Sequence, residues 1–335
     1  MIVSFIVVAY NAENTIGSLF ECLKKQTYPQ DLIEVILVDG DSRDNTRKRM
    51  EAFAKSTQFR RTVVLNNPGH TLPCGWNVAL AEVQGEVVLR LDAHATMPDD
   101  FIERNVRHMK EGKDICCGKV LSKLDDAENL GRIVNLAENS MFGGSVAAFR
   151  RAEKPGYVNT GAFAMYRKTV FDAVGLYDER LARTEDNEMH YRMKKAGFRF
   201  YYDPELVTYR QTRPSFGKLI HQKYMNGYWI GLTMGIEPRC FSLYHFVPLA
   251  FVLGILLTSV GALFGLWQLA ALMWLMYAAA ATAMTVAAVV GSGEQSACCM
   301  LLPWMFLSLH VSYGLGTLIG LMKAPFWLHG MKKNR

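Results

Sequence analysis

With 335 residues, half of them hydrophobic and a fifth charged, the chain is too apolar for one soluble domain and too charged to lie wholly within a membrane. The charge is segregated: of 37 basic and 31 acidic residues, only Glu294, Lys323, Lys332, Lys333 and Arg335 follow Phe241. A net charge of +6 without a basic stripe argues against a nucleic-acid partner, and seven cysteines with neither a CxxC pair nor framework spacing read as reduced packing residues.

The first hundred residues alternate short β-branched runs with longer amphipathic segments. Val3–Ala9, Glu34–Val38, Thr62–Leu65 and Val87–Leu91 are expected to be buried parallel strands. Ile16–Lys25, Asp44–Lys55, Cys74–Val83 and Pro98–Lys110 are the helices between them, which makes a βαβ series and an α/β fold. Ile2–Tyr10 is apolar but has no basic flank and no small-residue cleavage site, so the N-terminal domain is expected to stay cytoplasmic. From Ile115 to Thr208 the pattern loosens into a mixed region, with a Gly-rich, basic loop near Gly143–Gly156, and this half as a whole is expected to carry acceptor recognition.

Next, Phe216, Leu219, Ile220, Tyr224, Gly227, Tyr228 and Gly231 recur at i, i+3, i+4 spacing beside Lys218 and Lys223, the pattern of an amphipathic helix in the membrane interface. A soluble core helix shows the same stripe, and the place just before the apolar tail favours the interface. Phe246–Gly293 carries no charge over 48 residues, about 72 Å as helix against about 30 Å of hydrocarbon, so it must cross twice. Ala297–Met322 is a second uncharged run, long enough for a third crossing or a re-entrant segment. Three crossings would put the basic tail Lys332, Lys333 and Arg335 outside, against the positive-inside tendency. The expected organisation is thus an α/β domain over 1–212, an interfacial region over 213–240, and a membrane domain over 241–335 with helices near 246–266, 267–290 and 298–322.

In an open parallel sheet, ligands bind outside the carboxyl ends of the strands. Polar residues follow three predicted strands: Tyr10, Asn11 and Glu13; Asp39 and Asp41; and Asp92 with His94. Each group alone is an ordinary turn or helix start, and their coincidence points to a site. Asp92 and His94, two apart at a strand end, point the same way and form a half-site for Mg²⁺ or Mn²⁺, completed by diphosphate oxygens and water. There is no GxGxxG after the first strand and no GxxxxGK[ST] anywhere, which leads away from dinucleotide and P-loop chemistry toward a nucleotide sugar. Downstream, Thr184 is the expected N-cap of a helix running to Ala196 and stopped at Gly197, with Glu185 and Asp186 in its first turn. Such acids are often only partners of the helix dipole. Transfer to a hydroxyl, however, requires a carboxylate opposite the leaving group.

In order along the chain, SFIVVAYNAE, ILVDGDSRDNT, GEVVLRLDAH, NTGAFAMYRKTVFDAVGLYDE and RTEDNEMHYRMKKAG resemble family 2 glycosyltransferases of the GT-A fold, especially succinoglycan-type exopolysaccharide enzymes. The resemblance covers roughly the first 230 residues. It implies a Rossmann-like mixed sheet followed by a transmembrane tail, and a hexosyltransferase at the inner, cytoplasmic membrane. Tyr10, Asn11, Glu13, Asp39, Asp41 and Asp92 would bind the nucleotide of a donor, expected to be a UDP-sugar. Asp92 and His94 would take the DxD positions and hold Mn²⁺ or Mg²⁺, with His in place of the usual second Asp. Glu185 and Asp186 fall on the ED motif, whose Asp is the expected general base, and Gly161 lies on the segment lining the donor-sugar and acceptor sites. The QxxRW element is matched only approximately by Gln222 and Trp229, which favours non-processive transfer. The implied reaction is an inverting displacement onto a lipid-linked saccharide. The rivals are a polyprenyl-phosphate sugar synthase and a non-catalytic nucleotide-sugar-binding membrane scaffold.

Overall fold

Val3–Ala9 is buried at every position and forms β1 as expected; its alternate side chains feed two separate cores. Phe5 and Val7 pack with Leu19 and Phe20 on one face, while Ile6 and Val8 pack with Trp76 and Ala79 on the other. A strand with helices on both faces needs this continuous apolarity, because neither set of side chains meets water. The computed structural model describes residues 1–124, 129–144, 152–212 and 215–333. Much of the predicted Gly143–Gly156 loop, and Arg335 of the basic tail, lie outside these residues.

The expected series follows closely: α1 is Ile16–Lys24, β2 Ile33–Asp39, α2 Thr46–Ser56, β3 Arg61–Asn66, α3 Leu72–Ala81 and β4 Val87–Arg90. β1 pairs in parallel with β2 and β4, and β2 pairs in parallel with β3. The short β5 (Ala95–Thr96) and the helix α4 (Phe101–Lys110) come next. Beyond them the sheet turns mixed, through β6 (Ile115–Leu124), β7 (Gly156–Val158), β8 (Met165–Arg167) and β9 (Phe200–Thr212). β8 runs antiparallel to both β4 and β6, and β9 antiparallel to β5 and β7. The path through the sheet is β3-β2-β1-β4-β8-β6-β9-β5, with β7 attached to β9. α6 (Lys168–Val174) and α7 (Glu185–Lys195) complete this unit, which consists of Met1–Lys123 and Ala147–Thr212.

The second unit is Leu124–Val146 with Arg213–Arg335. A boundary at residue 212 therefore misses one segment, 124–146, which leaves the first unit in the middle of its sequence. The reason is packing: α5 (Asn129–Asn139) buries Ile133, Val134 and Ala137 against Leu302, Met305, Phe306 and Leu309. The remaining helices are α8 (Phe216–Thr233), α9 (Val247–Leu263), α10 (Trp267–Ser292) and α11 (Leu302–Lys333). Three stretches, Leu243–Leu263, Trp267–Ser292 and Ala297–Met331, are long and apolar enough to cross a membrane.

α8 departs from the interfacial expectation in what its stripe faces. Gly227 and Gly231 are buried on α11, where an added Cβ would collide with the Tyr313 carbonyl and with the backbone near Leu321. Gly316 and Gly320 answer from α11, against the Tyr224 and Tyr228 carbonyls. Small residues let two helix backbones approach this closely. Half of the stripe is thus used on protein, which the i, i+3, i+4 spacing cannot distinguish from lipid. None of the seven cysteines is in a disulfide, and Cys116, Cys117 and Cys299 are buried.

Candidate active site

The carboxyl ends of β1 and β2 are tied together by residues expected to bind ligand. Asn11 Oδ1 accepts from the Arg43 amide at 2.8 Å, and Glu13 accepts from the Asn45 amide and its side-chain Nδ2 at 3.2 and 2.8 Å. These bonds to Asn45 hold the Glu13 carboxyl below its ordinary range. Asn11 and Glu13 therefore shape the loops, although Asn11 is exposed, and Tyr10 before them is 59% exposed. Asn11 and Asp41 hold left-handed backbone at φ 48° and 66°, a conformation that non-glycine residues adopt at modest cost and that concentrates where loops serve a ligand. Asp41 is exposed, 4.0 Å from His70 Nδ1.

Asp39 is nearly inaccessible, at 3% exposure. Its Oδ2 accepts from the Ser42 amide at 3.3 Å, while Oδ1 is buried without a partner. Asn67, at the end of β3, repeats the pattern: Nδ2 donates to the Thr71 carbonyl at 2.7 Å and Oδ1 has no partner. Its amide donates to the Asp39 carbonyl at 2.8 Å, so the two orphaned oxygens sit on adjoining strand ends. Unsatisfied buried acceptors cost about 1–3 kcal/mol each, so each of these oxygens calls for a donor, from water or from a ligand. Sequence reading missed Asn67; the only signal was Asn-Asn-Pro-Gly directly after a predicted strand.

β4 carries the centre of the site. Arg90 is buried beneath the Trp76 ring, with its guanidinium carbon 4.7 Å from the ring centroid, and Nη1 donates to the Tyr177 hydroxyl at 2.7 Å. It also forms a two-pronged ion pair with Asp186 on the first turn of α7. Burial alone would raise the Asp186 carboxyl; the Arg90 guanidinium outweighs it and holds the group below the usual range. Arg90 was likewise not singled out in the sequence, where a lone arginine in a strand carries no pattern.

Two residues beyond Arg90 lies Asp92, whose carboxylate has no hydrogen-bond partner among the described residues; His94 Nε2 is 3.9 Å away. Glu185 is 5% exposed with Oε2 unpartnered. Burial, and after it the Asp186 charge, push its carboxyl up to about 8, and Asp92 adds to the same effect. Glu185 thus lies within electrostatic reach of both Asp186 and Asp92. No cluster of three or more metal-ligating side chains occurs among the described residues, so Asp92 and His94 remain a pair.

α7 begins after Thr184 as expected and ends before Gly197, at φ 93°. The Thr184 side chain makes no capping bond. Glu188 is taken by Arg192 one turn on, at 2.6 Å. His190, one turn after Asp186, bonds Thr160 Oγ1 at 2.8 Å and the Tyr166 hydroxyl at 3.2 Å, and burial lowers it to about 4, so it is neutral. Gly161 is buried on Cys117, whose side chain an added Cβ would strike. Its role in the structure is close packing of the 159–164 segment on β6. Gln222 and Trp229 lie on α8 in the second unit, where Trp229 meets Trp327 edge-on with ring centroids 6.0 Å apart.

The model of glycosyl transferase family 2 matches residues 4–175, over half of the chain. The chain belongs to this family. Among relatives of this family 2 chain, the succinoglycan biosynthesis protein ExoA of Rhizobium meliloti is 31% identical over 199 residues, which are 58% of this chain and 59% of that protein. The dolichyl N-acetyl-alpha-D-glucosaminyl phosphate 3-beta-D-2,3-diacetamido-2,3-dideoxy-beta-D-glucuronosyltransferase of Methanococcus voltae is 25% identical over 256 residues, 75% of this chain and 78% of that one. The mannosyltransferase PcManGT from Pyrobaculum calidifontis, solved with GDP-Man and Mn²⁺, superposes with a TM-score of 0.57 at 16% identity over 94% of this chain and 86% of that one. That likeness establishes the GT-A fold of the family 2 unit.

Proposed function

We propose that this family 2 chain transfers a sugar, with inversion, from a nucleotide diphosphate sugar to a lipid-linked saccharide at the cytoplasmic face of a membrane. The observation that carries the reading is the join at β4: Arg90 fixes the Asp186 carboxylate at the strand end where Asp92 leaves its own carboxylate unspent. The orphaned oxygens of Asp39 and Asn67 are suited to N–H or O–H donors of a nucleobase and ribose, with Tyr10 open beside them. A UDP-sugar is the donor proposed.

Asp186 is the proposed base. Its side chain is 37% exposed although both oxygens accept from Arg90, and a carboxylate has lone pairs left for an acceptor hydroxyl. Its lowered pKa keeps it ionised at neutral pH, and the incoming hydroxyl grows more acidic as its bond to the anomeric carbon forms. Glu185 stays protonated at neutral pH, so the site carries two carboxylate charges instead of three.

The donor set of Asp92 and His94, one carboxylate and one imidazole whose side chains have no hydrogen-bond partner among the described residues, fits a divalent ion that keeps most of its shell for phosphate and water. Mn²⁺ or Mg²⁺ held there would supply positive charge to the departing diphosphate. The apolar helices and the name of the Methanococcus voltae relative, which specifies a dolichyl-linked sugar phosphate, support a lipid-linked acceptor.

The test uses purified full-length chain with UDP- and GDP-sugars, with Mn²⁺, Mg²⁺ or chelator. Label transfer is measured to a polyprenyl-diphosphate saccharide and, separately, to bare polyprenyl phosphate. Label in the saccharide, lost on chelation and in Asp186→Asn, is expected. Label only in the bare phosphate makes the chain a polyprenyl-phosphate sugar synthase, and no metal response removes the Asp92–His94 site.

A further inference from the structure

We infer that α11 does not cross the bilayer: it lies along the leaflet that α9 enters from, so the chain crosses twice, through α9 and α10, and ends on the side where α9 begins. This concerns membrane topology and is independent of the chemistry proposed above.

The first observation is what covers α11. Leu302, Met305, Phe306 and Leu309 are buried against α5, whose opposite side exposes Asn129, Arg132 and Asn139. Arg132 pairs with Glu294 at 3.3 Å and is still 48% exposed. Immediately beyond, Ser312 Oγ donates to the Ile220 carbonyl at 2.9 Å, on the turns of α8 that carry Lys218, His221 and Lys223. Between them, His310 Nε2 donates at 2.6 Å to the carbonyl of Phe142, in a non-helical turn. Ionised and irregular polar segments therefore flank α11 from Leu302 to Tyr313. In a spanning helix that stretch, about 18 Å long, would lie in hydrocarbon, where exposed charges and irregular backbone are costly.

What is left is too short to cross. From Gly314 to the charge of Lys323 there are nine residues, Gly314–Met322, about 13 Å of helix against about 30 Å of hydrocarbon. Even here α11 is paired, because the glycine seam runs α8 alongside it through Gly227, Gly231 and Gly235, the last against Leu328. Lys323 then sits 5.7 Å over the Tyr228 ring and Trp327 packs on Trp229, a grouping suited to headgroup depth.

The second observation is where α11 meets the other two helices. Tyr277 on α10 bonds His310 at 3.0 Å and stacks on Phe251 of α9, and Gly314 rests on Pro248 and Val252. From Tyr277 to the start of α10 at Trp267 is about 15 Å, and from Phe251 to the end of α9 about 18 Å. The far half of the hairpin, including Leu257, Leu263, Phe264 and Leu269, is exposed. Consistently, almost no residue of α9 and α10 is buried, whereas much of α11 is. The hairpin has the surface of a span, and these contacts of α11 with it reach no further than about its middle.

The test places one epitope at each terminus of the full chain and, in a separate version, one at Gly265 in the turn between α9 and α10. No candidate span separates the N-terminus from α9 among the described residues. Sealed inverted and right-side-out membrane vesicles are treated with protease. The two terminal epitopes are expected to be cleaved together in one orientation and protected together in the other, with the Gly265 epitope doing the opposite. A C-terminal epitope protected where the N-terminal one is cleaved overturns the proposal, and that comparison stands even where the Gly265 insertion fails to fold. Transferase activity plays no part in the readout.

Discussion

Arg90 grips Asp186 at both oxygens, Nη1 to Oδ1 at 2.6 Å and Nη2 to Oδ2 at 2.7 Å, across 96 residues of sequence. Such a fork fixes the plane of the carboxylate, which a lysine at the same place could not do. Asp186→Asn is expected to lower kcat about 10²- to 10⁴-fold with nucleotide affinity nearly unchanged. Arg90→Lys keeps the charge and loses the fork, and a fall of about 10-fold or more in kcat at constant donor KM is expected. Steady-state kinetics with a lipid-linked acceptor measures both. Full activity in Arg90→Lys would mean that orientation of Asp186 is not limiting.

Glu185 gives the fold a pH dependence of definite sign. Its carboxyl moves from an ordinary 4.5 to about 8 on folding. Between those values the unfolded chain has released the proton and the folded chain still holds it, so this residue's contribution to stability falls as pH rises. In Glu185→Gln that loss disappears. Thermal midpoints in detergent with chelator, compared with the parent protein, should favour the variant more at pH 8 than at pH 5. An equal difference at both values would contradict the buried, protonated state.

The unpartnered Oδ1 atoms of Asp39 and Asn67 predict a nucleotide-binding defect. Asp39→Ala and Asn67→Ala should each weaken UDP binding about tenfold or more by calorimetry, because a buried acceptor that meets its donor only in the complex is worth about 1–3 kcal/mol. Glu13→Gln keeps the size of a side chain already spent on the α2 start and should change affinity little. If Glu13→Gln weakens binding as much as Asn67→Ala, the division between loop-shaping and ligand-facing residues is wrong.

Two glycines on α8 should behave in opposite ways. A methyl at Gly231 meets the α11 backbone, whereas one at Gly217 meets nothing within 4 Å. Gly231→Ala should destabilise by about 1–3 kcal/mol, and Gly217→Ala should be neutral or slightly stabilising by about 0.5–1 kcal/mol. Thermal unfolding of the full chain in detergent distinguishes them.

Much of this was legible in local pattern. β1 coincides with the predicted Val3–Ala9, and β2 to β4 fall within a residue of expectation at each end; β1, β2 and β4 are buried on both faces and so nearly all apolar, whereas β3, expected to be buried, is only half-buried because it lies at the sheet edge. The apolar helices were legible because spanning about 30 Å of hydrocarbon leaves no choice of composition. Tyr10, Asp39 and Asp92 lie at or just past strand ends and Asp186 at a helix start, as expected, because those positions are written in local sequence. What each carboxyl does there was not written locally. Arg90 looks like any strand residue until α7 returns beside it, and the partners of Glu13, Asn11 and Gly161, which are Asn45, Arg43 and Cys117, are absent from their local sequence.

By itself the amino-acid order determined the strands and helices of the first hundred residues and which segments are apolar enough to cross a membrane, since those depend on neighbours within a turn or two. Only the tertiary structure decided which acids are charged, which oxygens are left unsatisfied, and that the stripe of α8 faces α11 and 124–146 joins the apolar unit. Those depend on burial and on pairs brought together from distant positions, where the local dielectric and the nearest opposite charge, absent from any short window of sequence, set the outcome.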